Sequence, residues 1–411
     1  MRKFLCLLLI ITCIGVAKGQ SVYNVTGIVT DGKDIPIPGA TVFITDSRMV
    51  TAANADGKFA LRQVRAGKYT LVVKMMGYVA STHAFVLQNN DMRFRVKLQE
   101  DNIELRTANI SAMSLAERKR HLATFIRCFL GISTNAKQCK ILNTDILVFK
   151  FDKKKNILSA NTDDFLVIEN RALGYRLKYL LNSFVYDQSG LEAILSFDGS
   201  VFFEDMEGNA RQKKMWQQQR VDAYLGSSMH FFRSLFSNKV ERNGFTVYNM
   251  FNRLALEARI KEKKTIPIKY FTSIKLFRKY TNVADSNSRG FNLGLFKKDS
   301  TELYVVYRRN EEPREFLDGG TVIKNTFNMP EGQKSIITPL SDKVYINKNG
   351  SVSPIGHTQL AGFWMWGKMS WALPFDYEVP PGMEPSKIED EGDTVDDETD
   401  SNGINNPDLK K

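Results

Sequence analysis

The chain has 411 residues, of which 43% are hydrophobic, 25% are charged and 12 are proline. This composition is that of a globular protein with two or three domains, and it excludes a chain that is disordered throughout. The net charge of +12 is unevenly distributed, because residues 20–383 carry 51 basic and 35 acidic side chains while residues 384–411 carry three basic and ten acidic ones.

Residues 1–19 have the features of a secretory signal peptide. Arg2 and Lys3 precede an apolar run from Phe4 to Val16, and the small residues that follow suit a signal peptidase. The run is too short to span a bilayer, and no later stretch is apolar for about 18 residues. We therefore expect an exported protein, periplasmic or outer-membrane-associated, without a transmembrane span in the mature chain. A lipid anchor at Cys13 is disfavoured, since the residues before it fit a lipid-attachment box poorly.

Residues 21–99 show short alternating strands separated by turn residues. Met92 to Leu98 alternate between apolar and basic side chains, and the same period of two recurs from Tyr69 to Met75. Asp31-Gly32 and Asp56-Gly57 are turn dipeptides at intervals too short to contain helices. About seven strands in this length predict an all-β sandwich with a transthyretin-like or immunoglobulin-like arrangement.

The same segment resembles the carboxypeptidase-regulatory-like domain. The residues that carry the resemblance are Gly27-Ile28-Val29, Ile37-Pro38-Gly39-Ala40-Thr41-Val42, Asp56-Gly57-Lys58-Phe59, Gly67-Lys68-Tyr69-Thr70-Leu71 and Gly77-Tyr78. Such domains are accessory modules on carboxypeptidases, on TonB-dependent receptors and on exported Bacteroidetes proteins. The resemblance therefore implies a docking or spacing module and no activity.

Residues 100–113 read as a connector, and residues 114–383 as an α+β region built mainly from antiparallel sheet. Ser114 and Glu117 form a capping box for a helix that Gly131 ends, and a second helix is expected from about Lys213 to Phe236. Short strands follow, and Phe363 to Pro374 is expected to be a strand. Loosely, this region resembles an uncharacterised extension of exported Bacteroidetes proteins, through segments such as Leu173-Gly174-Tyr175 and Gly362-Phe363-Trp364.

The acidic segment 384–411 has few apolar residues and is predicted to be a disordered tail. Cys128 and Cys139 are the two cysteines beyond the signal segment. In an oxidising compartment we expect them to form a disulfide, with two buried free thiols as the alternative.

The sequence contains no recognisable catalytic motif. A zinc carboxypeptidase needs a glutamate three residues after a histidine. The four histidines are instead followed at that spacing by Val86, Thr124, Arg233 and Leu360. A zinc peptidase is therefore excluded, and no metal site or cofactor is predicted. The sequence favours a protein that is not an enzyme.

Arg220, Tyr224, His230 and Arg233 form one candidate ligand-binding cluster on the predicted second helix, where they could hold a carboxylate, phosphate or sugar. Trp364 and Trp366 form a second candidate, since tryptophans stack on sugar rings. The alternative interpretation of both sets is internal packing.

The leading hypothesis is a non-catalytic exported cell-envelope protein whose larger region binds a partner. The basic body predicts an envelope protein or an anionic glycan or lipid surface as that partner, and not nucleic acid. A hydrolase of unfamiliar class acting on glycan or peptide, and a glycan-binding protein, are the alternatives.

Overall fold

The structure is a computed structural model, which describes residues 22–101, 113–190, 193–250, 271–273, 281–283, 288–292, 302–318, 331–341, 343–353 and 356–383. The predicted signal segment, most of the connector and the acidic tail lie outside the described residues.

The N-terminal part is a sandwich of seven strands, which confirms the predicted fold class. The strands are β1 (Val22–Thr30), β2 (Thr41–Ile44), β3 (Val50–Ala52), β4 (Lys58–Arg65), β5 (Gly67–Lys74), β6 (Ser81–Leu87) and β7 (Met92–Lys97). One sheet has the order β4-β1-β7 and the other β3-β2-β5-β6. All pairs are antiparallel except β1 with β7, which is parallel. Val25, Val42, Leu71 and Val73 are among the fully buried residues between the sheets.

The remaining residues, here called the second region, begin with a helix packed on a six-stranded sheet. The elements are α1 (Leu115–Leu130), α2 (Thr134–Lys137), a 3-10 turn (Thr144–Ile146), β8 (Cys139–Ile141), β9 (Val148–Asp152), β10 (Ile157–Asn161), β11 (Phe165–Asn170), β12 (Tyr175–Asp187) and β13 (Ile194–Asp205). The long strand β12 pairs with β13 over its whole length, and β11 and β10 share its other edge. The capping box of Ser114 and Glu117 and the end of α1 at Gly131 are present as predicted.

The predicted second helix is two helices in the structure. They are α3 (Ala210–Tyr224) and α4 (Ser228–Phe236). Between them Gly226 adopts a φ of +79°, a conformation that favours glycine, and Ser227 caps α4 by accepting from the His230 amide. The prediction of one continuous helix from Lys213 to Phe236 was therefore wrong.

The rest of the second region contains two further antiparallel sheets. The elements are β14 (Phe245–Met250), β15 (Phe271–Ser273), β16 (Thr281–Val283), β17 (Ser288–Asn292), β18 (Glu302–Tyr307), α5 (Arg314–Asp318), β19 (Gln333–Pro339), β20 (Lys343–Asn347), β21 (Val352–Ser353), β22 (Thr358–Gly362), α6 (Phe363–Trp366) and a 3-10 turn (Lys368–Trp371). The sheet orders are β15-β14-β18-β19-β22 and β16-β17-β20-β21. The predicted strand from Phe363 to Pro374 is thus a pair of short helical turns, because the last strand ends at Gly362.

The turn between β2 and β3 joins the sandwich to the second region. The amide of Asp46 donates to the Val201 carbonyl at 2.7 Å, and the amide of Phe203 donates to the Ser47 carbonyl at 2.9 Å. On its other side, the Asp46 carbonyl accepts from the Phe375 amide at 2.6 Å. The turn is therefore held between β13 and the C-terminal segment of the described chain.

Aromatic packing and ion pairs surround this turn. Phe43 of β2, Phe165 of β11 and Phe202 of β13 pack together, with ring centroids 4.8 to 5.7 Å apart. Arg48 pairs with Asp376 at 3.0 Å and with Asp205 at 3.4 Å. We call this set of contacts the junction.

Removing one ring of the junction should weaken both sides of it. Phe202→Ala should cost about 3–5 kcal/mol of unfolding free energy, the usual effect of deleting a buried phenylalanine. Native-state hydrogen exchange should then accelerate in β2 and β5 as well as in β13, because Phe43 and Val72 lose the same neighbour. Phe184→Ala, in the core of the second region alone, is the matched control. Equal exchange in β2 and β5 for the two variants would contradict the coupling.

Candidate functional site

Arg220 is used to hold the second region together. Its Nε donates to the Leu173 carbonyl at 2.7 Å, and its terminal nitrogen donates to the Gly174 carbonyl at 2.9 Å. The guanidinium also lies over the Tyr175 ring, 3.7 Å from its centroid, and pairs with Asp205 at 2.9 Å. Since Asp205 also pairs with Arg48, Arg220 belongs to the junction.

The other three members of the predicted cluster are also packed internally. Tyr224 is buried, and its ring contacts the rings of His230 and Tyr377 at 4.8 and 5.8 Å. Arg233 lies over the Tyr224 ring and donates to the carbonyls of Asn349 and Phe375, at 2.9 and 3.1 Å. The structure thus brings Tyr224, His230 and Arg233 together, but as packing groups.

His230 is the most deeply buried of these residues. Its Nδ1 accepts from the Gly226 amide at 3.2 Å, and its ring contacts Phe245 and Tyr307. Burial lowers the pKa of His230 to about 3, and Arg309 and Arg233 lower it further. The ring is therefore neutral and acts as an acceptor in the bend between α3 and α4.

The two predicted tryptophans differ in how their indole N–H groups are used. The Trp364 Nε1 donates to the Gly226 carbonyl at 2.6 Å, and its ring lies 5.3 Å from the Phe231 ring. Trp366 is 8% exposed and packs among Phe316, Phe363 and Trp371. Its buried Nε1 has no hydrogen-bond partner among the described residues.

Both cysteines are free thiols in the structure, so the expected disulfide is not formed in it. Cys128 belongs to the buried core that α1 makes with the sheet, and burial raises the pKa of its thiol. Cys139 begins β8, and its thiol donates to the Asn135 carbonyl at 3.4 Å. Burial raises the pKa of the Cys139 thiol to about 12. The raised pKa values make both thiols poorly reactive.

A cavity of about 340 Å³ lies beside the junction. Its walls come from the β2–β3 turn, from β12 and β13, from the start of α4, and from residues 363–375. We call it the junction cavity. Aromatic rings dominate its walls, including those of Trp364, Trp366 and Trp371. Cavities of this size and character are typical of small-ligand sites.

Tyr179 reaches the cavity because the neighbouring strand has a glycine. A Cβ atom at Gly199 of β13 would lie 2.5 Å from the Tyr179 ring and 2.3 Å from the Leu180 carbonyl oxygen. No larger residue fits this position without moving β12. Gly199 therefore leaves room for the Tyr179 ring against β13 at the cavity wall.

Asp46 supplies a carboxylate to the wall of the cavity. Its main chain is fixed by the junction at a φ of +58°, and its side chain accepts from the Thr45 hydroxyl at 3.4 Å. Burial raises the pKa of Asp46 to about 6, and the nearby Asp198 contributes to the increase. Asp46 makes no ion pair with any residue that the structure describes.

Lys368 is a second charged residue in the lining of the same cavity. It begins the 3-10 turn after α6, has a φ of +45° and is half-buried. Burial lowers the pKa of Lys368, and Arg127 lowers it further. Within the described ranges no carboxylate lies within ion-pair distance of it. Asp46 and Lys368 were not predicted as site residues.

The residues described contain no group of three histidine, cysteine or acidic side chains arranged to hold a metal ion. In the same part of the chain, no helix is both long and apolar enough to cross a bilayer.

Residues 25–110 match the family model of the CarboxypepD_reg-like domain. The sandwich is a CarboxypepD_reg-like domain. This assignment agrees with the resemblance carried by its turn and strand residues, and it covers the wall of the junction cavity that contains Asp46. A comparison with curated proteins finds no match.

Solved structures resemble parts of the chain only weakly. A streptococcal ancillary pilin is 20% identical over 20% of this chain and 30% of its own, with a TM-score of 0.18. A 3-chlorocatechol 1,2-dioxygenase from Rhodococcus opacus is 8% identical over 21% and 64%, also at 0.18. A cohesin–X-dockerin complex chain from Acetivibrio cellulolyticus is 21% identical over 28% and 79%, at 0.18. The chain thus spans less than two thirds of the pilin and of the dioxygenase, and scores this low say nothing about function.

The state of the cysteines can be checked by thiol titration of the chain from residue 20 under non-reducing conditions. The native protein should react with very little of an aromatic disulfide reagent at pH 8, because Cys128 is buried, Cys139 is half-buried and the pKa values of both thiols are raised. The denatured protein should show two thiols. A denatured protein without reactive thiols would demonstrate a disulfide between Cys128 and Cys139.

The buried neutral His230 makes stability depend on pH. Its pKa is about 3 in the folded protein against 6.5 for the free side chain, so below pH 6.5 the unfolded chain binds a proton that the folded one does not. Stability is therefore lost as the pH falls, by about 2 kcal/mol between pH 7 and pH 5.

Urea unfolding of the wild type and of His230→Gln isolates this effect, because other titrating groups are common to both proteins. The stability advantage of the wild type should shrink by about 2 kcal/mol from pH 7 to pH 5. A difference that does not change with pH would show that His230 is not kept neutral by burial.

Proposed function

We propose that this protein is a non-catalytic ligand-binding protein of the bacterial cell envelope, which takes up a small amphipathic ligand in the junction cavity. The proposal is supported by three polar groups in the aromatic lining of this cavity. The Trp366 Nε1 has no hydrogen-bond partner, and the charges of Asp46 and Lys368 have no counter-charge, among the described residues. Buried polar groups usually have partners, so a bound molecule would account for all three.

Binding without catalysis is supported by the internal contacts of the predicted cluster of Arg220, Tyr224, His230 and Arg233. A hydrolase would need Arg220, Tyr224 or His230 free to contact a substrate. Arg220 and Arg233 instead donate to main-chain carbonyls, and His230 accepts from a main-chain amide. Asp205, the carboxylate that pairs with Arg220, also forms an ion pair with Arg48.

Export is part of the proposal, and it rests on residues 1–19, which lie outside the described residues. Their basic start, apolar run and small-residue end are those of a signal peptide. Periplasmic and outer-membrane-associated locations both suit a CarboxypepD_reg-like domain that faces an aqueous compartment.

A second surface supports contact with an anionic partner such as an acidic glycan or lipid surface. On the outer face of the β4-β1-β7 sheet, Arg93 and Arg95 flank Thr26 and Ile28 of the central strand, and Arg62 lies on β4. All three arginines are exposed, and they make no ion pair in the part of the chain that the structure describes. Such a basic face attracts anions through long-range electrostatics.

The alternative of a glycan platform built from Trp364 and Trp366 is less well supported. An open stacking surface needs exposed rings, whereas Trp366 is buried and the Trp364 indole is tied to Gly226. A sugar bound inside the junction cavity is a separate outcome, and the following titration would detect it.

Tryptophan fluorescence offers a direct test, because Trp364, Trp366 and Trp371 line the cavity and Trp216 does not. In a Trp216→Phe background, anilinonaphthalene sulfonate should quench the remaining emission with a single saturable phase. Ala372→Phe, which adds a ring to the cavity wall, should weaken this binding by about tenfold, equivalent to ~1.4 kcal/mol.

Ala210→Phe at the exposed start of α3 is the matched control and should bind the probe like the parent. Unchanged quenching in Ala372→Phe would show that the junction cavity is not the binding site. Sugars and amphipathic metabolites can be tested as competitors of the same probe.

A further inference from the structure

The charges of the junction cavity are separated onto two walls. Asp46 lies on the wall made by the β2–β3 turn, β13 and Phe375, where the carboxylate of Asp198 and the ring of Tyr179 are its electrostatic neighbours. Lys368 lies on the wall made by residues 363–375, close to the end of α1. A Cβ atom at Gly131 would lie 3.8 Å from the Lys368 Cβ, and Arg127 is in the last turn of that helix. One wall is acidic and the other is basic.

Neither charge is neutralised from within the described chain. Among the described residues, the Thr45 hydroxyl is the one hydrogen-bond donor to the Asp46 carboxylate, and the Lys368 ammonium makes neither a hydrogen bond nor an ion pair. Half-buried charges without counter-ions are costly. A ligand with a cation at one end and an anion at the other would relieve both costs at once.

The space between the two walls suits an uncharged, partly apolar middle. Phe197, Phe363 and Trp366 add apolar surface to the cavity lining, and among the described residues the Trp366 Nε1 has no acceptor. The nine-residue helix α4 begins at Ser228 on the same wall, and the first amides of a helix have no intrahelical partner. These donors could form hydrogen bonds to the carbonyl of a peptide bond, and the aromatic rings could pack against a hydrophobic side chain.

We infer that the ligand of the junction cavity is a short free peptide with an aromatic or aliphatic side chain, its ammonium facing Asp46 and its carboxylate facing Lys368. The inference rests on the proposed function and narrows it to one class of ligand. A residue spans about 3.3–3.6 Å when extended, and the cavity is at the small end of ligand sites, so two or three residues fit.

Isothermal titration calorimetry of the protein from residue 20 at pH 7.5 tests this inference with three probes. The probes are the dipeptide alanyl-phenylalanine, its N-acetyl form without the ammonium, and its C-terminal amide without the carboxylate. The free dipeptide should bind, and each capped form should bind about tenfold more weakly, the usual effect of losing one charged hydrogen bond.

Two variants identify which cavity wall binds which end of the dipeptide. Asp46→Asn, which tolerates the positive φ, should weaken the free dipeptide about tenfold and leave the N-acetyl form unchanged. Lys368→Gln should weaken the free dipeptide similarly and leave the amide unchanged. Asp56→Asn and Lys58→Gln alter an exposed ion pair of the sandwich and are the matched controls.

The outcomes separate the inference from the proposed function. If anilinonaphthalene sulfonate binds in the cavity but the three peptides do not compete with it, the cavity is a binding site and the peptide class is wrong. Equal binding of free and capped dipeptides would also overturn the inference. Competition by phosphocholine or phosphoethanolamine, with none by the dipeptide, would assign the two walls to a zwitterionic headgroup instead. Loss of all probe binding would remove the proposed function itself.

Discussion

The main-chain amides and carbonyls of one turn, residues 45–49, find their hydrogen-bond partners in two distant parts of the chain. A buried amide or carbonyl needs a hydrogen-bond partner. For Asp46 and Ser47 these partners are Val201, Phe203 and Phe375. The three bonds join the CarboxypepD_reg-like sandwich, β13 and the C-terminal segment into one arrangement. The junction cavity is the space that remains beside this connection, where rings from β12, β13 and residues 363–375 meet without filling it.

The same constraint explains why the arginines do not form a ligand site. Asp205 accepts from Arg48 of the sandwich and from Arg220 of α3, so it connects the junction to the helix. Arg233 then donates to the carbonyl of Phe375, the residue whose amide is bonded to Asp46. Polar side chains at helical spacing are thus used to hold main-chain segments in place. The groups left over for a ligand belong to irregular segments, as binding residues often do.

Local features of the fold were predictable, and those that depend on distant contacts were not. The alternation of apolar and basic side chains in β7 and the capping box of Ser114 depend only on residues that are close in sequence. The break between α3 and α4 was predictable from Gly226-Ser227, a glycine followed by a capping serine. The helical turns at Trp364 and Trp371 were not, because a short apolar run is compatible with either structure. Asp46 and Lys368 meet at one cavity only through the tertiary fold, so no local signal identifies them.

The most direct measurement is a crystal structure of the protein purified without denaturation from its native host. We expect non-protein electron density in the junction cavity, within hydrogen-bond distance of the Asp46 carboxylate, the Lys368 ammonium or the Trp366 Nε1. Native mass spectrometry of the same sample would give the mass of that molecule. A cavity that contains only water at high resolution, or that is closed by side chains of residues 363–375, would show that it is not a ligand site.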